Sequence, residues 1–390
     1  MRVLVLTRIF PNPAQPILGL YNRLQLGALG RLCEVEVLAA LPWFPGAGLF
    51  GDRTVASQLR DVPRHEVVAG LQVSHPRCLY VPKLHLVAGG LYAASLLPEV
   101  LRRRGRFDVI LGAWAFPDGC GAVALGELLR VPAVIKVHGS DINVFSDMPG
   151  PRRNLRWALP RARRVVTVSR QLGDKVIELG AAPDRVDVVL NGIDTERFKP
   201  RDRAAARAEL GHTGDSRRWL VYVGRLSQPK GVDVLLQAFA SIADRRDDLA
   251  LVLIGDGELT AQAREVEARL PGKIIIAGPR PHDEVASWLA ASDVLVLPSL
   301  AEGTPNVILE AMACGRRVVA TQVGGIPDVV NRPLLGELVP AKDAPALAAA
   351  LARSAVLPYD PEEVARVGAR GGWADSARNL HATLEAARAR

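Results

Sequence analysis

The stretch Leu295–Asp328, LVLPSLAEGTPNVILEAMACGRRVVATQVGGIPD, decides how the whole chain is read. It starts inside an apolar run of strand length, Asp293 to Pro298, and continues through a small polar turn, Ser299 to Thr304. Pro305 stands where a helix begins, a position at which its missing N–H costs nothing. Val307 to Cys314 has helical composition, and a second apolar run, Arg317 to Ala320, leads into Gly324-Gly325. The pattern is strand, loop, helix, strand, with the loop turning backbone N–H groups toward whatever lies beyond the strand end. Glu302 falls in that loop and Glu310 within the helix.

Outward from this unit, apolar runs of strand length alternate with longer amphipathic stretches almost from end to end. That alternation predicts an α/β chain with parallel sheets covered by helices on both faces. Strands are expected at Val3–Leu6, Val35–Ala39, Val109–Leu111, Ala133–Val137, Val165–Val168 and Val186–Leu190. After a polar segment, Lys199 to Arg218, a second series follows at Leu220–Val223, Ala250–Ile254, Ile274–Ala277, Val294–Leu297 and Val318–Ala320. Residues 42–70 are Pro/Gly-rich and read as irregular. The economical architecture is two Rossmann-like, doubly wound domains facing across a cleft, 1–195 and 196–372, with a last helix from Trp373 to Arg390.

The chain has 390 residues, 49% of them hydrophobic and 23% charged, enough for two ordinary globular cores. Its four cysteines show no CxxC spacing and read as reduced core thiols of a cytoplasmic protein. Met1-Arg2 enters a short strand without the profile of a signal peptide. The longest weakly polar run, Leu84 to Leu97, is too short to span a bilayer. The net charge of +8 sits in the first half: residues 1–200 hold 26 Lys+Arg against 17 Asp+Glu. The bland account is solvated helix faces. The sharper one is a peripheral surface for anionic lipid at the inner face of the plasma membrane, or for a phosphate-bearing acceptor. No aromatic residues interleave with the arginines at 102–106 or 152–164 as nucleic-acid binding would want, so nucleic acid is not expected.

In open parallel sheets, ligands bind beyond the carboxyl ends of strands. In VGRLSQPKG, Val223 to Gly231, that position holds Gly224, Arg225 and Lys230, two cations suited to a diphosphate and its leaving charge. Gly255, in a second strand-end turn, would sit beside a nucleotide. The break at Gly303–Pro305 separates Glu302 from Glu310. The N–H groups of Thr304, Asn306 and Val307 form a positive helix start for phosphate oxygens. Glu310 can accept two hydrogen bonds from a diol such as a ribose. In the first half, His138 ends a buried-type strand before Gly139-Ser140-Asp141 and can donate to a sugar hydroxyl or relay a proton. No His/Cys/Asp/Glu cluster with metal-ligand spacing appears at strand ends, so no metal is expected.

At these residues the sequence resembles a retaining glycosyltransferase of family 4, with the two-domain GT-B fold. VGRLSQPKGVDVLLQAF, the IGDGE turn, the stretch quoted above, the HGSD turn and NGIDTERFKP match that family's pattern in order and spacing. The resemblance implies transfer of a sugar from a nucleotide-diphosphate donor to a hydroxyl of a glycan or lipid-linked acceptor, with retention and without a tightly bound cofactor or metal. It implies that Arg225 and Lys230 hold the diphosphate and that Glu302 faces the donor sugar. The Gly303–Val307 backbone, Pro305 included, would lie on sugar hydroxyls and phosphates, Glu310 on the ribose and His138 near the reacting centre. Two departures stand out. The loop FPNPAQPILGLYN leaves only Gly19 where the family often has a Gly-Gly turn, and Arg316-Arg317 replaces a small residue and proline, expected as a surface change. A nucleotide-sugar epimerase on the same fold needs acid/base carboxylates that, apart from Asp141, the HGSD turn lacks. A silent binding protein fits poorly with the full set of charged site residues.

Overall fold

The computed structural model describes residues 1–16, 18–45, 55–81, 84–369 and 371–389. It divides into two compact units, Met1–Gly192 with Trp373–Arg390, and Ile193–Gly372.

The first unit contains β1 (Arg2–Thr7), α1 (Leu20–Leu29), β2 (Glu34–Ala39), β3 (Leu41–Trp43), α2 (Val55–Gln58), β4 (His65–Val68), β5 (Leu71–Ser74) and β6 (Arg77–Leu79). It continues with α3 (Ala88–Arg102), β7 (Val109–Gly112), α4 (Cys120–Leu129), β8 (Ala133–Lys136), α5 (Ser140–Asn143), α6 (Pro149–Ala158), β9 (Arg164–Thr167), α7 (Arg170–Glu178) and β10 (Val186–Val188). Eight strands pair in the order β10-β9-β8-β7-β1-β2-β5-β4. All are parallel except the edge hairpin β4–β5. Val3, Val5, Leu4 and Leu6 of β1 are all buried, the continuous apolar run of a strand covered on both faces.

The C-terminal helix (Trp373–Arg388) belongs to this unit. Ala377, Leu380, Leu384 and Ala387 enter the core beside Leu26 and Leu29 of α1. Trp373 stacks on Tyr21 at 6.2 Å between ring centroids, and Gln25 Nε2 donates to Ser376 Oγ at 2.7 Å.

The second unit runs α8 (Arg203–Glu209), β11 (Arg218–Val223), α9 (Val232–Ala243), β12 (Leu249–Ile254), α10 (Thr260–Arg269), β13 (Ile274–Gly278), α11 (His282–Ala291) and β14 (Val294–Leu297). Then come α12 (Asn306–Ala313), β15 (Arg317–Thr321), α13 (Ile326–Val329), β16 (Gly336–Val339), α14 (Ala344–Ser354) and α15 (Pro361–Gly368). Its six-stranded parallel sheet has the order β13-β12-β11-β14-β15-β16. The order reverses between β11 and β14, where an open sheet presents its ligand crevice.

Several expectations need correction. Residues 42–70 are not uniformly irregular: β3 and β4 lie there, while 46–54 fall outside the described residues. The polar segment after Lys199 folds as α8, its Asp202 side chain accepting from Ala205 N. Arg316 and Arg317 are not a surface change, for both are buried. Arg316 Nη2 donates to Ala290 O at 2.6 Å, and Arg317 Nη2 to Pro333 O at 2.8 Å. Guanidinium groups are accepted there because they satisfy loose carbonyls while their stems fill space.

Candidate active site

In the second unit the loops after β11, β12, β14 and β15 lie against one another at distances that only glycine permits. A Cβ on Gly231 would sit 2.0 Å from Pro298 O, and one on Gly255 2.0 Å from Gly224 O. Gly324 has φ +60, and a Cβ there would meet Glu302 O at 2.1 Å. Gly325 N donates to Gly303 O at 2.6 Å, so the β15 turn props up the loop carrying Glu302. The glycines thus weld the strand-end loops into one platform.

On that platform Lys230, in a tight turn over Gln228–Lys230, donates to Glu302 Oε1 at 2.6 Å. Ser299 Oγ donates to the same oxygen at 2.6 Å, and Thr321 Oγ1 holds Ser299 O at 2.5 Å. The two residues that sequence reasoning kept apart are therefore one ion pair. The reason is topological: β11 and β14 are neighbours in the sheet, so their following loops meet. Tyr222 Oη, donating to Arg225 O at 2.7 Å, fixes the backbone of the other cation.

Pro305 caps α12 from the outside and Asn306 is its first residue, as the break at Gly303–Pro305 implies. Glu310 is buried within α12, and His282 Nε2 lies 2.8 Å from its Oε1. His282 itself is held by Phe198, with ring centroids 5.3 Å apart. Its place at the start of α11 just beyond β13 is one of the strand-end positions expected to line a ligand site, 278–282, though the sequence pointed to no particular role for it.

In the first unit, Asp141 organises the turn after β8. It accepts from Ala115 N at 2.8 Å, His138 N at 2.9 Å and Gly139 N at 2.7 Å. Burial nevertheless pushes its carboxyl above the ordinary range, against the pull of those N–H groups. The His138 ring stacks on Trp114, centroids 5.5 Å apart, and its Nε2 is a buried atom with no hydrogen-bond partner. Burial, then the charge of Lys136, holds this imidazole well below its usual pKa, hence neutral.

Three further polar residues of this cluster gave weak signals in the sequence. Lys136 lies buried in β8 with Nζ 3.4 Å from Asn22 Oδ1, and burial lowers its pKa to about 7. Asn22 Nδ2 bridges Ile9 O at 3.0 Å and Ala113 O at 3.1 Å. Asp118 accepts from Arg8 N at 2.7 Å, and burial raises its pKa to about 6 despite the guanidinium beside it. Lys136 and Asp118 sit in otherwise apolar runs, the pattern that could have flagged them, whereas Asn22 has Arg23 beside it and carried no such mark. Gly19 has φ +67, and a Cβ would meet Ile9 O at 2.3 Å, so close packing by itself accounts for glycine there.

With this geometry in view, two family models match: "Glycosyltransferase Family 4" over residues 34–197 and "Glycosyl transferases group 1" over residues 217–355. D-inositol 3-phosphate glycosyltransferase 1 of Catenulispora acidiphila is 32% identical over 381 residues, covering 91% of this chain and 86% of its own. The chain belongs to glycosyltransferase family 4. The putative teichuronic acid biosynthesis glycosyltransferase TuaC of Bacillus subtilis is 29% identical across 93% of this chain and 90% of its own. Among solved structures, Anabaena HepE in complex with UDP superimposes with a TM-score of 0.74 at 20% identity, covering 99% of this chain and 100% of that one. The fold of this glycosyltransferase is thus the two-domain Rossmann-like GT-B class.

Proposed function

We propose that this glycosyltransferase moves a hexosyl-type sugar from a nucleotide-diphosphate donor to a hydroxyl of a glycan or lipid-linked acceptor, with retention of configuration. The observation that carries the donor reading is the Lys230–Glu302 pair on a platform of glycine-packed strand-end loops, with Arg225 anchored beside it. Arg225 and Lys230 stabilise charge building on the leaving diphosphate, and each well-aimed donor of this kind lowers such a barrier by roughly 3 kcal/mol. In the ground state Lys230 is held by Glu302; a donor phosphate recruits it, and the released carboxylate turns to the sugar. Glu310, oriented by His282, accepts from the ribose. The N–H groups at the start of α12 serve the phosphates, with Gly224 and Gly255 letting the nucleotide approach the backbone. The neutral His138 imidazole offers Nε2 to a substrate hydroxyl.

The titles of neighbours solved with UDP and UDP-glucose support a nucleotide-sugar donor. TuaC's name supports a surface polysaccharide as the acceptor class. No metal ion is assigned a part in this reading. Nothing favours an epimerase: Asp141 is committed to three backbone N–H groups and Asp118 to Arg8. Nucleoside diphosphate release from a panel of nucleotide sugars tests the proposal. Turnover lost in Arg225→Ala and Lys230→Ala is expected; turnover equal to the parent's would refute it.

The acceptor side of the proposal includes a peripheral membrane contact. Among the described residues no helix is long and apolar enough to cross a membrane. Leu84, Leu86 and Val87 are exposed beside α6, which carries Arg152, Arg153, Arg156 and the half-exposed Trp157. Asn154 Nδ2 ties the two together by donating to Leu86 O at 2.8 Å. An apolar ridge with an interfacial Trp and flanking arginines suits an anionic bilayer. Flotation with anionic vesicles should depend on Leu86, and Leu86→Asp floating like the parent would sink this part.

A further inference from the structure

A second charged feature of the first unit gathers part of the 102–106 arginine run into a groove away from α6. A groove of about 730 Å³ runs beside the C-terminal half of α3, walled by β2, β5 and the β4–β5 hairpin. Its lining includes Arg60, Arg64, Arg77, Arg102, Arg103 and Arg106. Among the described residues only Glu36 and Glu99 oppose them, so the described lining carries +4.

Both glutamates are already engaged. Arg103 Nε donates to Glu36 Oε1 at 2.6 Å and its Nη1 to Glu99 Oε2 at 2.6 Å, while Arg102 also pairs with Glu99. Arg103 Nη2 donates to the buried Ser74 Oγ at 3.0 Å, which lies 3.1 Å from His65 Nδ1. This makes a fixed polar floor. The remaining positive charge belongs to the rim. Arg60 has one loose contact, with exposed Asp61 at 3.6 Å. Arg64, Arg77 and Arg106 make no side-chain ion pair among the described residues.

Unpaired arginines scattered on a convex surface cost little, because water solvates each alone. Around one concavity their fields add, and the site concentrates anions. Guanidinium forks match phosphate oxygens two at a time. The volume is that of a small organic ligand rather than a bare ion. In the sheet order β7 and β1 intervene between β8, which carries His138 at its end, and β2. Three strand spacings separate β8 from β2, about 14 Å.

We propose that this groove binds a phosphate-bearing ligand, gripped by Arg64, Arg77 and Arg106 over the floor made by Arg103 and Ser74. It is a site independent of the donor loops. The phosphate can belong to a soluble phosphorylated compound or to a lipid headgroup, since the oxyanion chemistry is the same.

Calorimetry with inorganic pyrophosphate on the full chain tests it, using Lys230→Ala as the parent so that the donor loops contribute little. Vesicles of equimolar phosphatidylcholine and phosphatidylglycerol form the second arm. Adding Arg64→Gln, Arg77→Gln and Arg106→Gln together should weaken binding by about tenfold or more for one probe. Loss for pyrophosphate alone supports a soluble ligand, and loss of vesicle binding, with Leu86 unchanged, supports a headgroup. In an otherwise natural chain the same three changes should leave nucleotide-sugar turnover as it was, which shows that the fold survives; if they lower it, Arg106→Gln alone replaces them. Binding of both probes unchanged by these substitutions, or no binding by the parent, overturns the proposal.

Discussion

In the second unit the polar side chains at strand ends pair with one partner still reaching solvent, Lys230 with Glu302 as an ion pair and His282 with the buried Glu310 through a 2.8 Å hydrogen bond. In the first unit Lys136, Asp118 and Asp141 are sealed from solvent, and the His138 imidazole is held neutral among them. The difference is one of solvent and backbone. Where glycines let loops press together, ion pairs can stay partly wet and exchange partners with an incoming phosphate. Where charge is buried, it is spent on backbone N–H groups and carbonyls, and the ring left with an unpartnered nitrogen is neutral. The proposed transfer uses both: mobile charge for the leaving group, and a fixed, uncharged imidazole whose Nε2 can accept from a hydroxyl.

The comparison breaks most sharply at Lys230. Lys230→Ala should lower kcat/KM by about a hundredfold or more, as expected for one donor aimed at developing charge. Steady-state release of nucleoside diphosphate measures it; an equal loss in His138→Ala with Lys230→Ala mild would invert the division of labour. Next comes the platform. Gly324→Ala places a methyl against Glu302 O in a left-handed turn, whereas Gly70, φ +78, has open space around it. Thermal unfolding should show Gly324→Ala costing about 2–3 kcal/mol and Gly70→Ala about 1 kcal/mol.

A smaller effect belongs to Glu310. Glu310→Gln keeps the shape and removes the charge, so donor KM should rise about tenfold with kcat little changed, the mark of lost ground-state binding. A change of pH tests Lys136, whose folded pKa of about 7 lies below the ordinary 10.5. Between those values the unfolded chain holds a proton that the folded chain lacks, so stability rises with pH across that window, by about 1.4 kcal/mol per pH unit from this group. Below pH 7 the burial penalty is at its full value. Lys136→Met should flatten that rise, as chemical denaturation at a series of pH values would show.

The second unit was legible in the sequence because its chemistry lies in loops that interrupt regular elements, where Gly303, Pro305 and Gly231 punctuate the pattern. The ion pair between Lys230 and Glu302 was not, since 72 residues separate them and only the adjacency of β11 and β14 joins them. His282 stood at an expected strand-end position, but its bond to Glu310, 28 residues on, was hidden for the same reason. Buried Lys136 looked like one more strand residue, and Arg316-Arg317 looked like surface. In both cases local polarity pointed outward while carbonyls or an amide waited inside. The last strand β16 and helices α14 and α15 were missed, because Ala-rich and Pro-interrupted stretches carry weak periodicity.

On the proposed function, the glycine-packed loops of the second unit form a cradle for a nucleoside diphosphate. Isothermal titration of uridine, adenosine, guanosine and thymidine diphosphates into the intact chain and into the Arg225→Ala, Lys230→Ala double variant tests it directly. At least one nucleotide is expected to bind the intact chain, and the double variant, equally well folded, to lose that binding. A nucleotide bound equally by both, or none bound by the intact chain, would contradict it.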